Sequence, residues 1–330
     1  MHTHPLSKKI GLFIGPLLFI TILNFPFDTL SFKATAVLAL ACWMVCWWIS
    51  EAVSISVTAL LPLIIFPLTD VMTVNDVGAN YGSSIVFLFF GGFVLALGLE
   101  KVNLHRRIAL TIIKKTGTSP NKVILGFMIA TAFMSMWISN TASTVVMLPI
   151  ALSVINLLID QQESSTKQTR NFALSVMLGI AFSANAGGIA TVIGTPPNSV
   201  LIGLLENEYQ IQISFVKWMM IGLPFAIVMI TIIYLVLVYG IFSTKGLQFS
   251  ASQEVIDNEL DELGPIKPKE KQVLWVFGIV VSLWIFRTLI NSIFPGLKLS
   301  DTVISIFGAI ALFAIPFDLK KGDFILEWKD

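Results

Sequence analysis

The sequence predicts an all-α polytopic membrane protein, and three observations lead to this fold class. Of the 330 residues, 55% are hydrophobic and only 12% are charged, whereas soluble domains carry about 25% charged residues. Apolar runs long enough to cross a bilayer recur along the chain, and polar, Gly and Pro residues interrupt two of them. So few charged side chains cannot cover a water-facing surface, which excludes a soluble enzyme, a nucleic-acid-binding protein and a disordered regulator.

The apolar runs give the order of the predicted spans. A bilayer core about 30 Å thick needs roughly 17 to 25 apolar residues in a helix. The candidate segments are 10–27, 34–50, 52–69, 83–99, 123–159, 172–205, 218–242, 272–294 and 302–317. The first follows Lys8 and Lys9 as a signal peptide would, but no small-residue cleavage site precedes Asp28. We therefore interpret it as a span.

The basic residues predict the orientation. We assume that the N-terminus is cytoplasmic, that segment 123–159 enters and leaves the membrane on the same side, and that segment 172–205 crosses once. Seventeen of the 21 Lys and Arg residues then lie in the cytoplasm. Only Lys33, Lys217 and Lys298 lie outside, and this bias obeys the positive-inside rule. Arg287 lies within a span, where it can reach the outer surface or pair with Asp301.

Two polar segments lie between the spans. Residues 100–122 are basic and predict a helix on the inner leaflet, attracted to anionic lipid, with His105 on its surface. Residues 243–271 hold acidic and then basic clusters and predict a cytoplasmic linker, a solvated tether without a ligand. Cys42 and Cys46 lie four apart in one apolar run, so we expect packing residues and neither a disulfide nor a transition-metal site.

The first interrupted segment is 123–159. Its centre holds the polar residues Ser135, Ser139, Asn140, Thr141, Ser143 and Thr144 between two apolar flanks. Both ends lie on the basic side, which favours a re-entrant helical hairpin with its polar tip near the middle of the membrane. Two ordinary spans, whose Ser and Thr side chains bond neighbouring helices, remain an alternative with the same sidedness.

The second interrupted segment is 172–205, which is longer than one crossing requires. Paired glycines and paired prolines at its centre cannot continue a helix, so we expect two half-helices joined by an unwound stretch. No Gly-Lys-Ser/Thr sequence follows the glycines, and nucleotide binding is not expected.

The residue types at the two breaks limit the chemistry. Neither break contains a carboxylate or a base, so general acid–base and nucleophilic catalysis lack their participants, and we predict no enzyme activity. Carbonyl and hydroxyl oxygens suit an alkali cation, while half-helix N-termini and an Asn amide suit an anionic oxygen. The pattern favours sodium-coupled uptake of an anion.

Several motifs resemble the divalent-anion/sodium symporter family, which carries dicarboxylates, citrate and sulfate. They are MSMWISNTAS (134–143), ANAGGIATVIGTPPN (184–198), WWISEAVSISVTALLPL (47–63) and LFFGGFVLALGLEKVNLHRRIAL (88–110). The resemblance implies an inverted-repeat transporter, a homodimer and an elevator-like motion. It divides the chain into N-terminal span and scaffold helices with the interfacial helix (1–122), a transport-domain part (123–242), the linker (243–271) and the first two spans of a second repeat (272–330).

The resemblance also implies site residues. Ser135, Ser139 and Asn140, with a backbone carbonyl near Gly187 and Gly188, would form a sodium site, and Asn140 and Thr141 would contact a substrate carboxylate. Support for the unwound loop would come from Thr191, Gly194, Thr195, Pro196, Pro197 and Asn198. Glu51 matches the family's Trp-x-x-Glu-Ala pattern, although an interfacial charge at a helix end explains it equally well.

The implied activity is import of C4-dicarboxylates such as succinate or malate across the inner (cytoplasmic) membrane, with sodium as coupling ion and no cofactor. A carrier of sulfate, another inorganic anion or citrate is an alternative, and a non-transporting truncated membrane subunit is one from another class. The family's second Ser-Asn-Thr hairpin and second broken helix do not occur in this sequence. We therefore expect a truncated second repeat, in an N-terminal fragment lacking about 150 residues by comparison with the first repeat.

Overall fold

The computed structural model describes residues 6–25, 27–117, 119–160, 167–244, 247, 252–318 and 323–330. The chain divides into two compact units, Met1–Ser83 and Ser84–Asp330. The described part of each unit is mainly helical.

The first unit is built on a pair of long helices. Its helices are α1 (Leu6–Leu23), α2 (Phe32–Ser50), α3 (Ile55–Thr58), α4 (Leu61–Leu68) and α5 (Val74–Tyr81). α1 packs closely along α2 because Gly11 and Gly15 carry no side chain; a Cβ at Gly11 would lie only 2.0 Å from Ser50 Oγ. α2 ends at Glu51, whose φ of 48° is left-handed and whose carboxylate lies 3.0 Å from Lys8 Nζ.

The second unit contains the two interrupted segments. Its helices are α6 (Ser84–Lys101), α7 (Leu104–Thr116), α8 (Pro120–Ser135), α9 (Asn140–Asp160), α10 (Lys167–Gly188), α11 (Pro196–Tyr209), α12 (Phe215–Leu235, continued as a π-helix over Val236–Ile241), α13 (Ser252–Leu263), α14 (Pro268–Ile293) and α15 (Asp301–Ala314). A short antiparallel pair, β1 (Pro316–Asp318) and β2 (Asp323–Phe324), follows α15. The core of this unit consists of two apolar clusters. One lies mainly between α6, α14 and α15, and the other mainly between α7, α8, α9 and α10.

Five helical stretches of the described chain are long and apolar enough to cross a membrane. They are Leu6–Leu23, Phe32–Ser50, Val74–Lys101, Phe215–Ile241 and Pro268–Ile293. Shorter apolar helices occur at Ile55–Leu68, Asn140–Asn156 and Asp301–Ala314. The predicted all-α polytopic fold class is confirmed.

Two predicted spans are shorter or less regular than expected. The segment 52–69 is divided into α3 and α4 because Pro62 has no backbone N–H to bond the Thr58 carbonyl one turn earlier. The segment 302–317 is helical only to Ala314, since Ile315 precedes Pro316 and adopts an extended conformation.

The prediction that the linker is a solvated tether is wrong for its described residues. Within it, α13 packs against the basic helix α7. Arg106 pairs with Glu259, and Lys114 Nζ lies 2.7 Å from Asp257 Oδ1. The acidic cluster of the linker is therefore the electrostatic partner of α7.

A more buried ion pair fastens the same helix to the start of α14. Arg107 Nε lies 2.6 Å from Glu270 Oε2, and the guanidinium also donates to the carbonyls of Leu263 and Gly264. Glu270 is only 3% exposed. Thus Arg106, Arg107 and Lys114, which the sequence assigned to attraction by lipid, bind carboxylates of this chain, because the linker brings opposite charge into direct contact.

The prediction that His105 is a surface residue is also wrong. The side chain is 7% exposed, and Nδ1 lies 3.0 Å from the Leu99 carbonyl oxygen. It lines an apolar cavity of about 130 Å³ together with Trp137 and Phe277. Burial is the main cause that lowers the pKa of His105, against the Leu99 hydrogen bond and Glu100, while Arg106 lowers it further.

Some sequence predictions concern residues outside the described part of the chain. Lys245, Lys320 and Lys321, counted as cytoplasmic, lie there. So do residues 245–246 and 248–251 of the linker.

Candidate functional site

The first helix break separates α8 from α9. The chain leaves helical geometry after Ser135 and resumes it at Asn140. The Ser139 hydroxyl accepts the Ala142 N–H at 3.1 Å and so caps the first turn of α9. Asn140 and Thr141 thus stand at a helix N-terminus, where amide groups and the helix dipole favour an anionic partner.

The second break separates α10 from α11. Residues 189–195 are not helical, and α11 begins at Pro196 and Pro197, whose missing N–H groups cost nothing in a first helical turn. The Asn198 carboxamide donates to the carbonyls of Gly188 at 2.9 Å and Thr191 at 2.7 Å. Asn198 therefore satisfies two carbonyls that the break removes from helical bonding.

The two breaks lie against each other. The Thr191 hydroxyl donates to the Met136 carbonyl at 2.5 Å and accepts the Gly194 N–H at 3.0 Å. A Cβ at Gly194 would lie 2.5 Å from the Gly188 carbonyl oxygen and 3.0 Å from that of Ser135. Only glycine allows the two breaks to approach so closely.

Gly187 and Gly188 serve the same close approach. A Cβ at Gly187 would lie 2.3 Å from the Ala132 carbonyl oxygen of α8. At Gly188 it would lie 2.5 Å from Asn140 Oδ1. The Gly187 carbonyl itself accepts the Ala190 N–H at 2.9 Å, so its visible role is in packing and turn formation.

Two oxygens converge on the Ser135 hydroxyl and form with it a cluster of three oxygens. Its Oγ lies 2.6 Å from Asn140 Oδ1 and 2.7 Å from the Ala184 carbonyl oxygen. One hydroxyl hydrogen cannot be donated linearly to two acceptors, so this oxygen cluster has more acceptor lone pairs than donor hydrogens. Such a surplus attracts a hard cation, for which neutral hydroxyl, amide and carbonyl oxygens are suitable ligands.

Burial divides the predicted site residues into two groups. Ser135 and Thr191 are fully buried, and Asn198 is 6% exposed. Asn140 and Thr195 are half-buried, whereas the exposed residues are Ser139, Thr141, Pro196 and Pro197. The buried group holds the breaks together, and the exposed group comprises the hydroxyl-bearing residues Ser139 and Thr141 and the first two residues of α11.

The structure brings three groups to the site that the sequence did not assign to it. The Ala184 carbonyl joins the oxygen cluster, and Asn185 Oδ1 accepts the Asn140 Nδ2–H at 3.0 Å. Trp218 Nε1 of α12 donates to the Ile189 carbonyl at 2.9 Å. Ala184 and Asn185 lie inside the motif ANAGG, but Trp218 carries no local signal, because its partner is distant in sequence.

A separate polar cavity of about 580 Å³ lies among the ends of α6, α11, α12, α14 and α15. Its charged lining comprises Glu206, Lys217, Arg287 and Asp301. Of the two possibilities for Arg287, the structure shows the pairing with Asp301, at 3.0 Å, and Asp301 also accepts the Phe215 N–H at 2.9 Å. Two basic and two acidic residues leave this cavity without a net charge that would select an anion.

The comparisons match almost the whole chain to known proteins. A model of the sodium:sulfate symporter transmembrane region matches residues 7–330. The chain is 42% identical over 328 residues, 98% of its length, to the sodium-dependent dicarboxylate transporter SdcS of Staphylococcus aureus strain USA300, and equally to those of strains MSSA476 and MW2. It spans 63% of the length of these relatives. The chain therefore belongs to the sodium:sulfate symporter family.

Proposed function

We propose that the protein is a sodium-coupled carrier that imports dicarboxylates, with C4 compounds such as succinate and malate as the first candidates. The observation that carries this proposal is the oxygen cluster of Ser135, Asn140 and Ala184, whose acceptors outnumber its donor hydrogens. The name of the SdcS relatives, sodium-dependent dicarboxylate transporter, supports the same ion and substrate class.

Sodium would bind at this oxygen cluster. Ser135 Oγ, Asn140 Oδ1 and the Ala184 carbonyl would be ligands, with Ser139 and the backbone at Gly188 completing the shell. All of these are uncharged oxygens, which match the preference of a hard cation. A bound sodium would also pair with whichever acceptor, Asn140 Oδ1 or the Ala184 carbonyl, the single Ser135 hydroxyl hydrogen does not reach.

The substrate would bind beside the cation, at the starts of α9 and α11. Asn140 and Thr141 start the 21-residue helix α9, and Pro196 starts the 14-residue helix α11. Two helix N-termini and the Thr141 hydroxyl are complementary to a carboxylate. Because the breaks contain no basic side chain, the sodium ion would supply the positive charge that partly neutralises the dianion. Thr191, Gly194, Thr195, Pro197 and Asn198 would hold the loop in shape.

The orientation and assembly follow the sequence prediction. The protein would lie in the inner (cytoplasmic) membrane with a cytoplasmic N-terminus, as the distribution of Lys and Arg favours, and would act as a homodimer by resemblance to its family.

Uptake of radiolabelled succinate by cells expressing the protein tests the proposal. Uptake should require a sodium gradient, and replacing sodium with potassium should abolish it. Ser135→Ala should raise the sodium concentration for half-maximal uptake about tenfold, since it removes one ligand. The matched control is Ser153→Ala, because Ser153 is exposed and bonds only within its own helix. Equal uptake in potassium would disprove sodium coupling.

Sulfate is a second candidate substrate, because the matching family model is described as a sodium:sulfate symporter region. Competition distinguishes the two. With radiolabelled succinate, excess unlabelled succinate should suppress uptake while sulfate leaves it unchanged. Uptake of radiolabelled sulfate with none of radiolabelled succinate would make sulfate the substrate.

A further inference from the structure

Asn185 lies on α10, one turn before the second break, and its side chain contacts Asn140 across the first break. We propose that Asn185 fixes the orientation of the Asn140 carboxamide and thereby sets the affinity for sodium. The inference rests on the proposed function, because it concerns the same sodium site. It makes Asn185 a positioning residue that acts through Asn140.

The hydrogen bonds leave a single consistent orientation for both amides. Asn185 Nδ2 donates to the Ala181 carbonyl at 3.2 Å, and a carbonyl oxygen can only accept. Asn185 must therefore turn its Oδ1 towards Asn140. Asn140 has to meet that oxygen with Nδ2, at 3.0 Å.

The Asn140 orientation in turn decides what faces the oxygen cluster. With Nδ2 bound to Asn185, Asn140 Oδ1 points at Ser135 Oγ, 2.6 Å away. Reversal of the amide would direct its NH₂ group at the cluster. An NH₂ group is a donor without a lone pair for a metal ion, so the reversed amide cannot be a sodium ligand.

Asn140 alone does not enforce this orientation. The Ser135 hydroxyl can donate or accept, and so it can pair with either end of the amide. The Ala181 carbonyl, by contrast, is a fixed acceptor. Because this carbonyl must accept a hydrogen, it fixes the Asn185 amide, which in turn fixes the Asn140 amide. Each neutral oxygen of the cluster matters for sodium binding because the breaks carry no carboxylate.

Sodium binding gives a direct test. We expect Asn185→Ala to raise the dissociation constant for ²²Na⁺, measured on the purified full chain, about tenfold. Asn185→Asp keeps an acceptor facing Asn140 and should restore an affinity at least as high as that of the unmodified protein. Ser153→Ala, on the exposed side of α9, serves as the control and should bind sodium normally.

A double-mutant cycle separates orientation from general loosening of the site. A carboxylate at position 140 presents an oxygen in either orientation, so in an Asn140→Asp background the orienting group has no function. Asn185→Ala should then change sodium affinity by less than about twofold. An equal loss in both backgrounds would overturn the proposal, and so would an unchanged affinity in Asn185→Ala alone.

Dicarboxylate uptake, measured in parallel, separates this inference from the proposed function. If the variants bind sodium as the double-mutant cycle predicts but no succinate is taken up, the role of Asn185 stands and the carrier function is overturned. The carrier function and the role of Asn185 are both supported if the unmodified protein takes up succinate with sodium and Asn185→Ala alone needs about tenfold more sodium for half-maximal uptake. No sodium binding by the unmodified protein would overturn both.

Discussion

At the scale of single residues, the site depends on glycines that let helices touch. Gly187 is enclosed by the α8 backbone, because a Cβ at this residue would lie 2.3 to 2.7 Å from atoms of Ala132. Backbone atoms cannot rotate away as the end of a side chain can, so Gly187→Ala should separate α8 from α10 and pull Ser135 away from Ala184.

We expect Gly187→Ala to cost about 1 to 3 kcal/mol of stability, the range for overpacking, and to weaken sodium binding. Gly278→Ala is the matched control, because nothing lies within 4 Å of its Cβ position and alanine is the better helix former. Thermal unfolding in detergent measures both. A Gly187→Ala protein as stable as Gly278→Ala would contradict the close approach.

His105 gives the folded protein a dependence on pH. Burial lowers its pKa in the folded chain, so the unfolded chain binds this proton more readily. Its contribution to stability is therefore present above the unfolded value of about 6.5 and is lost as pH falls through that value towards the lower folded pKa.

The midpoint of thermal unfolding should accordingly fall between pH 7.5 and pH 5.5 by more in the unmodified protein than in His105→Gln. Glutamine can still donate to the Leu99 carbonyl but does not titrate. Other carboxylates titrate in both proteins, so the difference between the two shifts is the quantity to measure. Identical shifts would show that His105 does not contribute.

Local sequence was sufficient to propose the residue types of the candidate site and not their partners. Ser135, Asn140 and the paired glycines stand out because polar and helix-breaking residues are costly inside a membrane. The bond from Asn140 to Asn185 spans 45 positions. Its geometry follows from the packing of α9 on α10, which no spacing rule in the sequence expresses.

At the scale of secondary-structure elements, the ion pairs between α7, α13 and α14 are the feature with the largest expected effect. Arg107 is 13% exposed at its side chain and Glu270 4%, so removing one partner leaves a charge that is poorly solvated. Arg107→Gln should therefore destabilise the protein by about 3 kcal/mol.

Lys115→Gln, an exposed position on the same helix, should change stability by less than about 0.5 kcal/mol. Chemical unfolding, followed by the rate of protease cleavage within α13, measures the effect. Cleavage becomes faster when α13 is released from α7, because the backbone of α13 is then accessible to the protease. A resistant Arg107→Gln protein would show that packing alone retains this helix.

The prediction that the linker is a solvated tether failed for a physical reason. Its composition is that of a solvated segment, and the pattern gave no sign that its acidic residues had a partner. The partner, α7, lies about 150 residues earlier. Charge complementarity between distant segments can be read from a sequence only when both are already suspected to be neighbours.

At the scale of the whole molecule, the distribution of charge predicts sidedness. In a background without Cys42 and Cys46, Asn207→Cys should react with a membrane-impermeant thiol reagent added to intact cells. Lys115→Cys should react only after the membrane is permeabilised. Both positions are exposed, so accessibility within the fold does not bias the comparison. The opposite labelling pattern would invert the predicted orientation.

The fold class and most long helices were predictable because hydrophobicity and helix length are fixed by the bilayer. The two deviations both occur at prolines: Pro62 lacks the N–H for a helical hydrogen bond, and Pro316 favours an extended conformation at Ile315. A hydropathy pattern records how apolar a segment is, but it does not record whether its backbone can stay helical.

The pairing of α7 with α13 also sets an order of events during synthesis. Arg106 leaves the ribosome 153 residues before its partner Glu259, an interval of about 8 to 30 s at a typical rate of 5 to 20 residues per second. Throughout that time the cations of α7 have no carboxylates from α13, and on the predicted orientation they would act as a cytoplasmic retention signal while the intervening helices insert. Once α13 emerges, it neutralises them. The same side chains would thus first determine the orientation of the inserting helices and afterwards form the ion pairs that hold α13 against α7.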